Sequence, residues 1–152
     1  MNKLLKIFFT FLMLSGCAYE PVLLKKNYDF YFTDINSEGE KQINQIIKQN
    51  LTENTNIESI NNYQIIFESF LNKDIVASNK KGDPTIYKIN INLNYNLKKD
   101  NNIIFENEIL KQSTFNNIDD KFELLKYEEN IVENLSEKIA EDILISIMSL
   151  TK

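Results

Sequence analysis

Residues Tyr87–Lys98 read YKININLNYNLK, and the period of this stretch decides the fold. Tyr87, Ile89, Ile91, Leu93, Tyr95 and Leu97 hold every odd position. Lys88, Asn90, Asn92, Asn94, Asn96 and Lys98 hold every even one. An unbroken period of two is the mark of a β-strand with one dry face and one wet face. Such a strand belongs to an antiparallel sheet covered on one side. Its register is well specified, because a slip of one residue would carry every apolar side chain into water.

Outward from this strand, KKDNN (Lys98–Asn102) predicts a hairpin turn. A second strand follows from about Ile103 to Phe115, with Phe105, Ile109 and Phe115 on one face and Ile104 and Leu110 on the other. Its alternation is less clean, which suits an edge strand or a bulge. Upstream, NKKGDP (Asn79–Pro84) is a loop punctuated by Gly82 and Pro84. Before it, a strand starts near Asn62, with Tyr63, Ile65 and Phe67 on one face and Ile66, Glu68 and Phe70 on the other. The first strand is YDFYFTDI (Tyr28–Ile35), where Tyr28, Phe30 and Phe32 alternate with Asp29 and Tyr31.

Two segments change period from two to 3.6. Ser37 and Glu40 have capping-box spacing, and Ile43, Ile46, Ile47 and Leu51 then lie on one helix face. Gly39 sits in the first turn of this helix and weakens it slightly. From about Asp119 the chain is helical again, with Asp120 and Glu123 at capping-box spacing. Phe122, Leu125, Val132, Leu135, Ile139, Ile143 and Ile147 keep one face. From Ile143 to Leu150 the helix is apolar on more than one face, so that end is buried or meets a partner. The order is β-α-β-β-β-α. The expected fold is α+β, with two helices packed on one face of a four-stranded, mostly antiparallel sheet.

Composition narrows the chemistry. The 152 residues suit one domain and carry a formal net charge of −5. No basic excess speaks for a nucleic-acid partner. The chain has no histidine and one cysteine, Cys17, which removes most transition-metal sites, histidine-based triads and any intrachain disulfide. With three glycines there is no phosphate-binding loop. The pairs Asp119-Asp120 and Glu128-Glu129 read as a helix start and a solvated face rather than as catalytic carboxylates. No catalytic residue and no metal ligand is expected. Two basic pairs remain. Lys80-Lys81 and Lys98-Lys99 fall in turns at opposite ends of the central strand, about 50 Å apart if it is extended. They cannot form one patch. Each is either a solvated turn or a contact for anionic head groups or a partner's rim.

The first residues have a different logic. Lys3 and Lys6 precede an apolar run from Ile7 to Leu14, followed by Ser15, Gly16 and Cys17. Charged start, short apolar run and small residues together form a secretory signal. The run is too short for the roughly 20 residues that span a bilayer as a helix. Leu14-Ser15-Gly16-Cys17 resembles the bacterial lipobox, which implies cleavage between Gly16 and Cys17 and lipidation of Cys17. The modification implied is a diacylglycerol and an N-acyl chain on that cysteine, and no other cofactor. More than one chain is what stable anchoring requires. Ala18 is not the aspartate of an inner-membrane retention signal, so the outer membrane, periplasmic side, is the expected location. Expected boundaries are a signal peptide at 1–16, a lipidated tether at 17–27 and one domain at 28–152.

The chain resembles the LPS-assembly lipoprotein family (LptE-like, alphaproteobacterial type). CAYEPVLL (Cys17–Leu24) is similar to a CGF-x-P-L-Y opening, with Tyr19 at the aromatic and Pro21 at the proline position. Ala18 stands where glycine is usual. PTIYKININLNYNL (Pro84–Leu97) is similar to the family's central strand, with Tyr87, Ile89, Tyr95 and Leu97 in place and Ile86 where a basic residue is common. The element order matches as well. The resemblance implies a non-enzymatic partner of a large outer-membrane barrel of the LptD type. In that role the lipoprotein plugs the barrel, assists its assembly and meets lipopolysaccharide, with Lys80, Lys81, Lys98 and Lys99 as candidate contacts. An auxiliary of a phospholipid-transport system and a purely structural lipoprotein are the alternatives.

Overall fold

A computed structural model describes residues 28–150. The elements run β1 (Tyr31–Gly39), α1 (Lys41–Glu53), β2 (Asn62–Ser78), β3 (Pro84–Lys99), β4 (Asn102–Asn116) and α2 (Lys121–Leu150). The sheet order is β1-β2-β3-β4. Strands β2, β3 and β4 form two antiparallel hairpins, while β1 pairs in parallel with β2. A parallel pair needs a crossover, and α1 supplies it. The α+β order read from the sequence is the order found, with both helices on one face of the sheet.

The alternation of YKININLNYNLK holds residue by residue. Ile89, Ile91, Leu93, Tyr95 and Leu97 are buried. Their cross-strand neighbours include Ile65, Phe67 and Ser69 of β2 and Phe105 and Ile109 of β4, and Tyr87 meets Phe115, all on the helix side. Helix α2 crosses β3 and β4, and α1 packs on β1 and α2. Ile47, Leu51, Ile91, Leu93, Ile139 and Ile143 are fully enclosed between the layers. Each such side chain contributes about 1.5–3 kcal/mol by leaving water. The β3–β4 turn is the two-residue loop Asp100-Asn101, with φ of 51° and 64°. Left-handed conformations at both centres match the twist of a tight hairpin, and Asp and Asn tolerate them best. Strand β4 is an edge and carries an irregularity opposite Leu97/Lys98, as its uneven pattern predicts.

Three expectations are corrected. Strand β1 begins at Tyr31, not Tyr28, and runs on to Gly39. Tyr28 forms an isolated bridge to Thr55 instead. Its alternation with Phe30 reflects burial, since Phe30 packs its ring against Tyr28, Phe32 and Tyr63 at 5.7–5.9 Å. Ser37 is therefore a strand residue and caps nothing. The residue before α1 is Glu40, with no side-chain cap bond. Its N–H is met from across the sheet, by Ser69 Oγ at 3.1 Å and Ser69 O at 3.3 Å. Ser69 Oγ donates to Asn44 Oδ1 at 2.7 Å, and Asn44 Nδ2 donates to Glu38 O at 3.0 Å. Gly39 is thus the hinge between β1 and α1 and not a flaw in the helix. Its φ is 92°, and a Cβ there would lie 2.0 Å from Ser69 O. The third correction concerns the phase of α2. Leu124 is buried, while Phe122 and Leu125 are exposed. From Val132 to Ile147 the face read from the sequence is the buried one.

Candidate functional site

The carboxylate pairs take structural roles. Asp120 Oδ1 accepts from the N–H groups of Phe122 (2.8 Å) and Glu123 (3.1 Å), capping α2 as its spacing predicts. Glu128 pairs with Lys73, whose ammonium also lies 4.2 Å from the Tyr87 ring centroid. Among the described residues no group of three or more His, Cys, Asp or Glu is placed to hold a metal. No described helix is long and apolar enough to cross a membrane. Cys17, Gly16 and the boundaries at 16/17 and 27/28 lie outside the described residues.

The two lysine pairs are separated as expected. Lys98 and Lys99 are the last two residues of β3, and the rest of that strand, about 45 Å of extended chain, lies between the pairs. Lys80 and Lys81 are exposed at the tip of the β2–β3 hairpin. Asn79 shapes this tip. Its Oδ1 accepts from the N–H groups of Lys81 (2.8 Å) and Asp83 (3.0 Å), and its Nδ2 donates to Asp83 Oδ2 at 2.9 Å. Gly82 completes the turn with φ of 89°. Beyond the last β1 pairing at Gly39–Ser69, β2 is an edge, and near the tip Ile75 and Val76 are more than half exposed. Phe122 and Leu125 at the start of α2 are exposed at the same end, because Asn117 binds Thr85 and Pro84 there. This end is therefore amphiphilic, with apolar side chains beside two lysines.

At the other end, Lys98 and Lys99 border a shallow cleft of about 300 Å³ with Thr33, Asn62, Tyr63 and Gln64. The Lys99 ammonium is 5.7 Å from the Tyr63 ring centroid. The structure thus brings neither lysine pair to the other, and each has its own surroundings.

A further feature was not legible in the sequence. Among the described residues nothing covers the sheet face away from the helices, and register aligns side chains from four strands on it. Glu38, Glu68, Asn94 and Glu108 form one row across β1, β2, β3 and β4. Phe70, Asn92 and Leu110 form the next row. Phe70 is 47% and Leu110 60% exposed. Asn92 Nδ2 donates to Glu108 at 2.7 Å, whereas Asn92 Oδ1 is shut off from solvent without a donor. The sequence displays the asparagines of β3, but the carboxylates come from its neighbours and only the pairing assembles them.

Together these features define a two-layer α+β module whose polar chemistry lies on strand turns and an open sheet face. No protein-family model matches the chain, and no curated protein matches it in sequence. Solved structures share its fold. Rare lipoprotein B from Shewanella oneidensis matches with a TM-score of 0.59 at 13% identity, over 78% of this chain and 96% of that one. Lipoprotein B from Nitrosomonas europaea matches with a TM-score of 0.61 at 14% identity, over 82% and 88%. A minor lipoprotein from Acinetobacter baumannii gives 0.54 at 12% identity, over 78% and 92%. At these identities the likeness is one of fold.

Proposed function

We propose that this chain is an outer-membrane lipoprotein, anchored through Cys17 on the periplasmic side. Its role is to plug and help assemble an LptD-type barrel, assisting lipopolysaccharide insertion into the outer leaflet. It acts by binding, without catalysis. The observation that carries the reading is a lipobox cysteine heading a domain whose fold is shared by proteins named as lipoproteins. The resemblance in CAYEPVLL and PTIYKININLNYNL supports the finer part. A compact two-layer body with one polar sheet face also suits the wet interior of a barrel.

The hairpin tip is the contact assigned to lipopolysaccharide. Lys80 and Lys81 would meet its phosphates while Ile75 and Val76 lie against acyl chains. Pull-down of the tagged protein from detergent-solubilised outer membranes tests the partner: an LptD-type barrel should co-purify. Recovery of a tunnel-forming lipid carrier in its place would move the protein to phospholipid transport. For the tip, Lys80→Glu/Lys81→Glu should weaken lipopolysaccharide binding, and the loss should shrink as salt rises. Unchanged binding at low salt removes both lysines from the contact.

A further inference from the structure

We propose that the open sheet face is a docking face for a protein surface that presents lysine or arginine around an apolar recess. The inference rests on the reading of the chain as a partner of another protein and names the face and the chemistry of that contact. Six carboxylates point from this face: Asp34, Glu38, Glu68, Asp74, Glu106 and Glu108. Among the described residues only Lys88 and Lys98 oppose them on it. The sign is set by register, since Asp34 and Glu38 arrive from a parallel strand and Glu106 and Glu108 from an antiparallel one.

The arrangement is not what folding alone favours. Glu38 lies directly opposite Glu68, with a third carboxylate, Glu108, in the same row beyond Asn94. Like charges facing each other across strands oppose the pairing they sit on. A cationic partner turns that cost into attraction. The neighbouring row supplies the apolar part. Phe70 and Leu110 flank Asn92 two strand spacings apart, about 10 Å, on the two edges that the sheet has at that row. Exposed apolar side chains beside polar and charged ones are the mixture that protein-docking surfaces present. Complementary potential then sets partner choice and orientation.

The same sign rejects anionic lipid. Phosphates approaching this face meet carboxylates, so head groups belong at the hairpin tip of Lys80 and Lys81 and a protein wall belongs here. The face and the hairpin tip thus take different occupants.

The test uses the membrane-anchored full chain with a photo-crosslinking residue at Asn94, and at Lys138 on the exposed side of α2 as the control. Asn94 should crosslink to a protein at a lysine- or arginine-bearing segment, and Lys138 should not join that segment. In Glu68→Lys/Glu108→Lys the Asn94 crosslink should fall at least about tenfold. Thermal stability of that variant should stay near that of the parent, because the lysine introduced on β2 would face Glu38 as an opposite charge and offset the lost Asn92–Glu108 bond. This second readout separates loss of docking from loss of fold. Phe70→Ala/Leu110→Ala should also lower crosslinking with the fold intact. Three results overturn the proposal: crosslinking at Asn94 only to lipid, no crosslink at Asn94, or one undiminished by charge reversal. If an LptD-type barrel still co-purifies in those cases, the functional reading survives and only the docking face is lost. A charge-dependent crosslink to a different basic protein keeps the face and refutes the barrel.

Discussion

Replacing Gly39 by alanine isolates the contact on which the β1–α1 turn is built. Two glycines have nearly the same backbone, with φ of 92° at Gly39 and 89° at Gly82, but opposite surroundings. A Cβ on Gly82 meets nothing within 4 Å, whereas one on Gly39 lies 2.0 Å from Ser69 O. Both variants carry the left-handed penalty of about 1–2 kcal/mol. Both recover about 0.4–1 kcal/mol from a stiffer unfolded chain. Gly82→Ala should therefore cost about 0–1.6 kcal/mol. At Gly39 the Cβ and the carbonyl must separate by roughly 1 Å or more to reach ordinary contact. Ser69 sits mid-strand and only 1% exposed, so the motion stretches both bonds from Glu40 N and the Ser69–Asn44 bond. Leaving one or two buried polar groups unmet adds about 1–3 kcal/mol each, which puts Gly39→Ala about 1–6 kcal/mol beyond Gly82→Ala. The upper part of that range is a large share of the roughly 5–15 kcal/mol typical of a domain. Urea unfolding followed by far-ultraviolet circular dichroism measures both variants, with equal slopes confirming that only stability has changed. A Gly39→Ala midpoint within about 1 kcal/mol of Gly82→Ala would refute the steric argument.

Ser69→Ala removes the hydroxyl that joins Glu40 N to Asn44, and urea unfolding should register a loss of about 1–3 kcal/mol, part of it coupled to Asn44 in a double-mutant cycle. Asp120→Ala strips the cap from two N–H groups of α2 and should cost about 0.5–2 kcal/mol by the same assay, whereas Asp120→Asn should keep most of the stability. Cys17→Ala should leave the denaturation midpoint of the domain unchanged while moving the protein from the membrane to the soluble fraction; retention in the membrane would argue against the lipid anchor.

What the sequence revealed depended on how local the cause was. The alternation in Tyr87–Lys98 survived intact because β3 is central and its two faces differ in every residue. The Asp120 cap was legible because donor and acceptor lie within three residues. The Ser37–Glu40 spacing misled because the Glu40 N–H is satisfied by Ser69, 29 residues away, which leaves Ser37 free to join a strand. The start of α2 misled through phase. Leu124 and Leu125 are both leucine, and which one faces inward depends on the helix's crossing of β3 and β4, which no local period encodes. The carboxylate face was hidden for a similar reason. Glu38, Glu68 and Glu108 are tens of residues apart and meet only through three pairing registers, one parallel and two antiparallel.

The separation of charge bears on whether the proposed contact with anionic lipid is compatible with a chain of formal net charge −5. Screening at physiological salt acts over about 8 Å. From Asn94 in the glutamate row to the start of β3 at Pro84 is ten residues, about 33 Å of strand, or roughly four screening lengths. The field of the glutamate row is therefore spent before it reaches Lys80 and Lys81, and of the six carboxylates named on that face Asp74, paired opposite Lys88, lies nearest the tip. Near those lysines the local acid is Asp83, held by Asn79 within the turn. Net charge then says little about the tip, and binding there should follow local charge and the exposed Ile75 and Val76. The two surfaces are electrostatically independent at physiological salt, so reversing Glu68 and Glu108 should leave lipopolysaccharide binding at the tip unchanged. Reversing Lys80 and Lys81 should likewise leave crosslinking at Asn94 unchanged. A strong effect of either pair on the other's partner, persisting at physiological salt, would mean that one occupant bridges both surfaces and that the division drawn between them is wrong.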